Sequence, residues 1–474
     1  MDKYERFKES VKAAADRFRQ IPKELPVRVV SHFDADGITA AALLVQLLRM
    51  EDRPFHLSNV QHLSKQIVEE LSYESYETII FSDLGSGQLA YIDSFLQGKN
   101  IFILDHHIPG KDEGLIGANI CQVNPLLHGI EGNLEISGAG VAYLFAKAVD
   151  PRMISKASMA IIGAIADQQE DNGFFGLNAE VLSDAIKMGN LTVSSGLRLF
   201  GSGSKPLHRV LEMATDCYIP GVTGSGPTAQ KFLKDTGINP RHDGTWRTVS
   251  QLSEDEMQAL VDAIIEKRKN EINPQDIFGN IYILRGEDRD SVFRDAREYA
   301  TALNAAGRTG EASIGVAAGM GDKKAREAIQ KSVLDYQQML VAALRWLEEN
   351  RGTDNFVQRD GFAYINSGLN ISPKIIGTVS TILSKTGGIR HDSIIISMAD
   401  TGEGMTKVSI RYSGAKPVHD LREICKKIFF GFKDAEFGGH RNAAGGIFRT
   451  EDTAKFIEAM EETLEKICME DSVK

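Results

Sequence analysis

The sequence has few cysteines and tryptophans, no long apolar run and no excess of positive charge. Its four cysteines form no Cys-x-x-Cys pair, which argues against a zinc ribbon or a disulfide framework. No stretch approaches the roughly 18 consecutive apolar residues of a membrane span. The net charge of −11 excludes a uniformly basic nucleic-acid coat. Because the charged amphipathic N-terminal stretch also lacks the apolar core of a signal peptide, we expect a cytoplasmic protein with reduced cysteines.

Short apolar runs alternate with helical stretches over the first 190 residues. The runs lie at 27–32, 77–83 and 100–107 and are rich in Val, Ile and Phe. The helical stretches lie at 38–50, 138–150 and 154–169. Apolar runs bounded by helices predict a parallel sheet with helices on both faces, an α/β fold. Ligands of such sheets bind at the carboxyl ends of the strands.

Each apolar run ends in polar residues of metal-binding types, and one further aspartate lies late in an apolar helix. These residues are His32, Asp34, Asp36, Asp83, Asp105, His106, His107 and Asp167. Singly, each could be a helix cap or a hydrogen-bonded core residue. Five carboxylates in one pocket would repel each other strongly unless cations compensated them. Oxygen and imidazole ligands without thiolate suit Mn²⁺ or Mg²⁺, with Zn²⁺ as an alternative, so the pattern favours a site for two divalent ions.

The second half of the chain predicts a long helix at 326–350 and then another α/β unit. Apolar runs at 361–368, 393–400 and 407–414 indicate strands, and residues 417–429 and 451–467 indicate helices. We therefore divide the chain into a first α/β domain, a middle region, a connector helix and a smaller C-terminal α/β domain facing the first across a cleft. The predicted boundaries are 1–190, 191–325, 326–352 and 353–474.

Five short motifs carry a resemblance to a known family. HFDADG (32–37), SDLG (82–85), LDHH (104–107) and GAIAD (163–167) resemble the four motifs of the DHH phosphoesterase superfamily, and FGGHRNAAGG (437–446) resembles the signature of its accessory DHHA1 domain. The length and the form of the first motif are most similar to archaeal RecJ-type single-strand exonucleases, of the GINS-associated nuclease type. Bacterial RecJ usually has an aspartate where this chain has His32.

The resemblance implies two metal ions, generally Mn²⁺, with Mg²⁺ as an alternative. One ion would be held by His32, Asp34 and Asp83, and the other by Asp36, Asp83, His106 and Asp167, with Asp83 bridging. It further implies that Asp105 orients a histidine and that His107 contacts the scissile phosphate or its leaving group. The reaction would be hydrolysis of a phosphodiester with two-metal assistance.

The glycine-rich signature predicts a phosphate site in the C-terminal domain. Glycines permit close backbone approach to a ligand, and backbone N–H groups in such turns bind anions. The residues that the resemblance assigns to this site are Ser409, Arg411, Gly438, Gly439, His440, Arg441 and Asn442. The alternative is a tight turn between two secondary-structure elements.

The resemblance predicts a single-strand-specific exonuclease acting on DNA or RNA, in DNA replication or repair. One alternative is a nanoRNase or cyclic-dinucleotide phosphodiesterase, and another is a replisome scaffold with residual activity. A manganese pyrophosphatase is disfavoured because that family has a different C-terminal domain.

Two regions predict binding partners. In the archaeal proteins that the chain resembles, an inserted module docks GINS, a factor that works with the replicative helicase, and we assign that role to part of 190–280. The alternative is an insertion that only shapes the cleft. The stretch KKIFFGFK (426–433) combines basic and aromatic residues, as single-strand channels do, but we favour its interpretation as the partly buried end of a helix.

Overall fold

The computed structural model describes residues 2–110, 117–170, 173–203, 205–214, 217–271, 273–289, 291–385, 389–414 and 418–472. The chain forms two compact units, one of Met1–Gly196 with Asn280–Leu334 and one of Leu197–Gly279 with Asp335–Lys474. The domain boundaries predicted from the sequence stay a prediction. None of the helices in the described segments combines the length and the apolar character that crossing a bilayer requires.

The secondary-structure elements fall into three successive groups along the chain. The first group comprises α1 (Lys3–Arg19), β1 (Val27–His32), α2 (Ala35–Met50), β2 (Phe55–Val60), α3 (Lys65–Tyr73), β3 (Thr78–Ser82), α4 (Leu89–Phe95), β4 (Asn100–Leu104), β5 (Ile120–Val123), α5 (Gly138–Val149), α6 (Ala157–Ala166), α7 (Gly176–Lys187) and β6 (Leu191–Leu197). The second comprises α8 (Leu207–Glu212), α9 (Gly226–Asp235), β7 (Arg241–His242), β8 (Thr245–Trp246), α10 (Glu254–Lys267), β9 (Phe278–Leu284), α11 (Ala296–Thr309), α12 (Ala312–Gly319) and α13 (Lys323–Glu349). The third comprises β10 (Phe356–Gln358), β11 (Phe362–Asn366), α14 (Ile376–Lys385), β12 (Ser393–Asp400), β13 (Met405–Ser413), α15 (Leu421–Phe429), β14 (Glu436–His440), β15 (Ala443–Arg449) and α16 (Thr453–Ser472).

The first unit is built on a five-stranded parallel sheet with the order β2-β1-β3-β4-β5. On one face, side chains of β1, β3 and β4 form an apolar core with α3 and α4. On the other face, Phe102 of β4 packs edge-to-face against Phe18 of α1 and contacts Phe145 of α5. β3 is buried along its whole length, and only the first residue of β4 is partly exposed, as expected for central strands covered on both sides. The predicted α/β fold is therefore confirmed for this unit.

The second unit contains a mixed sheet of six strands with the order β10-β11-β12-β13-β15-β14. β11 and β12 are parallel, and the other neighbouring pairs are antiparallel. One face carries α15 and α16 over an apolar core that includes Phe429, Phe448 and Phe456. Residues 197–279 have an apolar cluster of their own, to which α8, α9 and α10 contribute. Ser253 and Glu256 form a capping box at the start of α10.

The sequence did not predict the edge strands β2 and β5 of the parallel sheet, nor α11 and α12. β2 is half exposed, and polar residues interrupt its apolar ones, so it lacks the continuous apolar run of a central strand. α11 and α12 lie in the chain segment that returns to the first unit after residue 279.

Candidate metal centre

Three neighbouring strands bring predicted site residues to one edge of the parallel sheet. β1 ends at His32, Asp83 directly follows β3, and Asp105 directly follows β4. Because β1, β3 and β4 are adjacent and parallel, their carboxyl ends meet at the same edge. Asp36 joins them from the first turn of α2, and Asp167 joins them at the end of α6.

The loop between β1 and α2 is held tightly by local hydrogen bonds. The Asp34 side chain caps α2 by accepting a hydrogen bond of 3.1 Å from the backbone N–H of Gly37. Ser31 donates its hydroxyl to the Gly37 carbonyl at 2.8 Å. A Cβ at position 37 would lie 2.4 Å from the carbonyl oxygen of His32, so the close turn requires glycine.

Asp36 is buried and is held by the first turn of α5. Its carboxylate accepts hydrogen bonds from the backbone N–H groups of Gly138 at 2.7 Å and Ala139 at 3.0 Å. The positive end of the α5 dipole favours this charge. Gly163 of α6 packs so closely that a Cβ there would lie 2.3 Å from Oδ1 of Asp36. Two helices therefore fix one carboxylate before any ligand arrives.

Asp83 occupies the middle of the cluster in a backbone conformation that non-glycine residues seldom adopt. Its φ angle is 58°, in the left-handed region, and its side chain is 2% exposed. Its Oδ2 lies 3.5 Å from Nδ1 of His32, and its Oδ1 lies 3.3 Å from Nε2 of His106. A non-glycine residue held in this conformation at a cluster of ligand residues suggests a functional constraint on the backbone.

The orientation of His106 is set by its backbone neighbour. Nδ1 donates a hydrogen bond of 2.7 Å to the carbonyl oxygen of Gly132, so Nε2 is the nitrogen that faces the cluster. Nε2 lies 3.3 Å from carboxylate oxygens of Asp83 and Asp167 and 3.8 Å from Asp36. An imidazole held through Nδ1 with Nε2 aimed at three carboxylates is the arrangement of a metal ligand, which would bind an ion once Nε2 is deprotonated.

Asp105 accepts hydrogen bonds from the residues around it and orders the chain after β4. Its Oδ1 accepts hydrogen bonds from the backbone N–H of His106 at 2.8 Å and from Nδ1 of His107 at 2.8 Å. Its Oδ2 accepts the backbone N–H of Ser86 at 2.9 Å. The side chain of His107 is 37% exposed, so it is the accessible histidine of the pair.

The ligand atoms lie close enough for metal binding. Three groups each have their donor atoms within 4.8 Å of one another. They are His32, Asp34 and Asp83; Asp36, His106 and Asp167; and Asp83, His106 and His107. Nδ1 of His32, Oδ1 of Asp83 and Nε2 of His106 are buried and form no hydrogen bond. Because buried polar atoms without partners are costly, three such atoms in one cluster fit a site built for cations.

The electrostatics of the cluster also fit cation binding. Among the described residues, the ion pairs of these carboxylates are with histidines alone. Burial raises the pKa of Asp36 well above its usual range, and the neighbouring Asp83 and Asp167 reinforce this. Burial likewise raises the pKa of Asp167 to about 6, against the opposing influence of His106. Without cations, the cluster therefore retains protons that divalent ions would displace.

The charged neighbours of Asp105 and His106 determine the direction in which the pKa of each group shifts. Burial opposes ionisation of Asp105, but the nearby His107 outweighs it and holds the pKa of that carboxyl well below its usual range. Burial lowers the pKa of His106, but Asp83 and Asp167 outweigh this and raise it well above the ordinary value. The charged form of Asp105 is thus stable at neutral pH.

The eight predicted residues of the first unit therefore gather at one place. One group holds His32 and Asp34 and another holds Asp36, His106 and Asp167, while Asp83 belongs to the first of these and to the group with His106 and His107. Assignment of the individual residues to metal binding and catalysis stays a prediction.

In the second unit, part of the predicted phosphate site lies in one row across the sheet. Ser409 pairs with Gly445, and Gly445 pairs with Gly438. The Ser409 hydroxyl is buried and forms no hydrogen bond. Arg411, two residues along the same strand, donates to Oγ1 of Thr381 at 3.1 Å. A Cβ at Gly438 would have no neighbour within 4 Å, so the backbone there is open to a ligand, whereas a Cβ at Gly445 would lie 2.4 Å from the Val408 carbonyl oxygen.

The remaining predicted residues lie at the hairpin between β14 and β15. Gly439 has a φ angle of 141°, and a Cβ there would lie 2.5 Å from the Ala443 carbonyl. Arg441 and Asn442 form the exposed turn. The backbone of His440 pairs with Ala443, and the His440 side chain lies outside the described residues. The role of these residues in phosphate binding stays a prediction.

Several residues that support the cluster were not predicted from the sequence. Asn124 donates to the hydroxyl of Ser86 at 2.8 Å and to the carbonyl of His107 at 2.8 Å. Asn304 of α11 accepts the backbone N–H of Ala35 at 3.0 Å. Gly307 of the same helix approaches so closely that a Cβ would lie 2.0 Å from the Phe33 carbonyl oxygen. The segment after residue 279 thus helps to hold the loop that carries Asp34 and Asp36.

Comparison with known families matches three parts of the chain. The DHH family N-terminal domain matches residues 26–167, the DHH-CID domain matches 199–277, and the DHHA1 domain matches 360–466. The first match contains the metal cluster, and the third contains Ser409, Arg411 and the glycine-rich hairpin.

Two relatives align with substantial parts of the chain. The uncharacterized protein MJ0831 of Methanocaldococcus jannaschii is 30% identical over 322 residues, covering 67% of this chain and 69% of that protein. The single-stranded-DNA-specific exonuclease RecJ of Thermus thermophilus is 27% identical over 203 residues, covering 40% of this chain but only 29% of that enzyme.

Solved structures share the fold at low sequence identity. The crystal structure of RecJ in complex with Mn²⁺ from Thermus thermophilus has a TM-score of 0.57 at 18% identity and covers 97% of this chain and 55% of that one. The crystal structure of CDC45 from Entamoeba histolytica has a TM-score of 0.64 at 11% identity and covers 98% and 99%.

Proposed function

Because the chain belongs to the DHH family and carries the DHHA1 domain that accompanies it, we propose that it is a manganese-dependent exonuclease that hydrolyses phosphodiesters of single-stranded DNA or RNA. The observation that supports this most directly is the convergence of Nδ1 of His32, Oδ1 of Asp83 and Nε2 of His106, three buried atoms without hydrogen-bond partners. The alignment with RecJ of Thermus thermophilus, named as a single-stranded-DNA-specific exonuclease, supports the substrate class.

We assign the ligands of two Mn²⁺ ions, or Mg²⁺ in their place, to the residues of the cluster. His32 and Asp34 hold one ion, Asp36, His106 and Asp167 hold the other, and Asp83 serves both. When bound, such a pair of ions activates a water molecule and stabilises charge on the attacking and leaving oxygens.

The other residues orient and position the substrate. Asp105 fixes the ring of His107 through Nδ1, and the half-exposed His107 contacts the scissile phosphate or its leaving group. In the second unit, Ser409, Arg411 and the open backbone at Gly438 bind a phosphate of the strand. The guanidinium can hold a phosphate through two parallel hydrogen bonds.

The test is digestion of end-labelled single-stranded DNA and RNA by the full chain with Mn²⁺. We expect stepwise release of nucleotides, and loss of most activity in Asp83→Ala, since that change removes a ligand from both ions. Asp262→Ala, at an exposed position of α10, is the matched control and should keep full activity. Random internal fragments, or undiminished activity in Asp83→Ala, would contradict the proposal.

The alternative within the same chemistry is a phosphodiesterase for dinucleotides, such as a nanoRNase. It is distinguished by comparing cleavage of dinucleotides with cleavage of oligonucleotides of about 20 residues. We expect higher kcat/KM for the longer strands, because contacts along the backbone add binding energy.

We further propose that residues 199–277, which match the DHH-CID domain, dock a replication partner of the GINS type in the cytoplasm. These residues have their own apolar cluster, built from α8, α9 and α10, so they form a distinct surface module. Co-purification of the full chain with GINS tests this. Unchanged binding when exposed side chains of this module are substituted would contradict it.

A further inference from the structure

The end of helix α15 has one buried face and one exposed face of unusual composition. Ile424, Cys425 and Ile428 point into the core of the second unit. Lys426 and Lys427 lie on the exposed face, and Phe430 follows directly after the helix. Lys426 and Lys427 therefore lie on the last turn of the helix, shortly before Phe430.

Phe430 is the most exposed large apolar side chain in the described part of the chain, at 86%. Its neighbours behave differently, since Phe429 is 2% exposed and Phe432 packs against the same core. The interpretation of 426–433 as the partly buried end of a helix is therefore confirmed, since Phe429 and Phe432 pack on the core while Phe430 is exposed. The backbone turns out of the helix at Phe430, with φ −62° and ψ 121°, which directs the chain away from the core.

Within four positions of Phe430 the charged residues are three lysines and Asp434, and Asp434 is paired with Arg449. Lys426, Lys427 and Lys433 are exposed, and none of them forms an ion pair with a described carboxylate. Three exposed lysines within eight residues are notable in a chain with a net charge of −11. Their charge is complementary to a polyanion, and the exposed ring offers it an aromatic face.

A second partly exposed aromatic side chain lies beside this region. Phe437, 45% exposed, begins the glycine-rich hairpin, and its ring centroid lies 5.4 Å from that of Phe429. Phe437 belongs to β14, the edge strand of the six-stranded sheet. The aromatic surface thus adjoins the strand that carries Gly438 and Gly439.

We propose that Phe430 is a stacking platform for a base of single-stranded nucleic acid, with Lys426, Lys427 and Lys433 contacting the adjacent phosphates. This inference rests on the proposed function and adds a binding site for the strand outside the metal cluster and the phosphate site. Stacking accepts any base, because every base has a π face, and lysines bind the backbone without regard to sequence. An apolar peptide would use the ring but would gain nothing from three unpaired lysines.

The test measures binding of a single-stranded DNA that contains 2-aminopurine, using the full chain in EDTA so that no metal-dependent cleavage occurs. Stacking on an aromatic ring quenches 2-aminopurine fluorescence, which contact with lysine alone does not do. We expect Phe430→Ala to bind about tenfold more weakly and to lose the quenching. Phe430→Trp should retain both, and Phe430→Leu should lose the quenching although it is apolar. Lys427→Gln should reduce the slope of log affinity against log salt by about 0.7.

Tyr73→Ala, which removes a similarly exposed ring from the first unit, is the matched control and should bind like the wild type. Unchanged affinity and quenching in Phe430→Ala would overturn the platform. The same holds if Phe430→Leu behaves like the wild type, since that result indicates an apolar partner. Cleavage of the strand by the wild type with Mn²⁺ is measured separately. If the wild type binds through Phe430 and cleaves nothing, the platform is supported and the proposed exonuclease fails.

Discussion

Nδ1 of His107 lies 2.8 Å from Oδ1 of Asp105, a carboxylate that is fully buried behind the metal cluster. The same carboxylate also accepts backbone N–H groups of Ser86 and His106. It therefore fixes both the ring of His107 and the chain that follows β4. Under the proposed function, such a buried acceptor would act on catalysis through the histidine that it orients.

The relationship between Asp105 and His107 gives a first prediction. Both carboxylate oxygens of Asp105 accept hydrogen bonds, whereas the amide of Asp105→Asn has only one accepting oxygen. One set of hydrogen bonds is therefore lost, and His107 loses its fixed orientation. We expect kcat to fall by about 10- to 100-fold with little change in KM. Mn²⁺ binding, measured by isothermal titration calorimetry, should stay close to that of the wild type. Wild-type kcat in this variant would show that His107 is not positioned by Asp105.

A second prediction concerns the close packing of α5 against Asp83. A Cβ at position 138 would lie 2.4 Å from Oδ1 of Asp83 and 2.7 Å from its Cβ. Gly138→Ala should displace Asp83 and abolish most Mn²⁺ binding and activity. Gly203→Ala is the control, because a Cβ at that position would have no neighbour within 4 Å. Full Mn²⁺ affinity in Gly138→Ala would mean that Asp83 is not a ligand in the arrangement described.

A third prediction separates substrate binding from metal binding. Arg411 lies in the second unit, where its Nε donates to Thr381 at 3.1 Å. We expect Arg411→Ala to raise KM for an oligonucleotide about tenfold, because a charge-assisted contact to phosphate is lost. Arg411→Lys should restore little of it, since lysine lacks the planar fork. Mn²⁺ affinity should not change, and an equal loss of Mn²⁺ affinity would contradict the separation.

The pKa shifts in the cluster give a fourth prediction, for the metal-free chain. Asp167 has a pKa of about 6 in the folded chain, above the ordinary 3.8 of the unfolded chain. Between these values the folded state retains a proton that the unfolded state releases, so stability falls as pH rises. Burial lowers the pKa of His106, but its carboxylate partners raise it by more, so the net pKa lies well above the ordinary value. The contribution of protonated His106 to the stability of the folded chain is therefore also lost at higher pH.

Mn²⁺ should reverse this dependence, because its ligands bind in their deprotonated forms. We expect the increase in Tm caused by Mn²⁺ to be larger at pH 8 than at pH 5.5, measured by differential scanning fluorimetry against EDTA. Asp34 and Asp105 have lowered pKa values and keep their stabilising contribution throughout this range. An increase in Tm at pH 5.5 that equals or exceeds that at pH 8 would contradict the prediction.

The sequence was sufficient to predict the parallel sheet and the gathering of ligands at its edge. Buried central strands such as β3 and β4 read as continuous apolar runs, and each is followed by a residue of ligand type. Because parallel strands end on the same side, the residues His32, Asp83 and Asp105 had to meet.

Other parts of the site could not be predicted, because they depend on contacts between distant residues. Asn304 reaches Ala35 across 269 positions, and no local pattern marks an asparagine in an amphipathic helix as a site residue. Gly138 and Gly163 lie in helices rich in small residues, where a glycine required for close approach cannot be told from any other small residue. Phe430 could not be separated from Phe429 in the sequence, since their exposure depends on where the helix ends.

The most direct test of the two-metal site is the anomalous difference density of crystals of the full chain soaked in Mn²⁺, recorded at the manganese edge. We expect two peaks within the cluster, one beside His32 and Asp34, one beside Asp36, His106 and Asp167, and both within reach of Asp83. In Asp83→Ala, both peaks should weaken strongly. No anomalous peak among these side chains in the wild-type crystals would contradict the proposed metal centre.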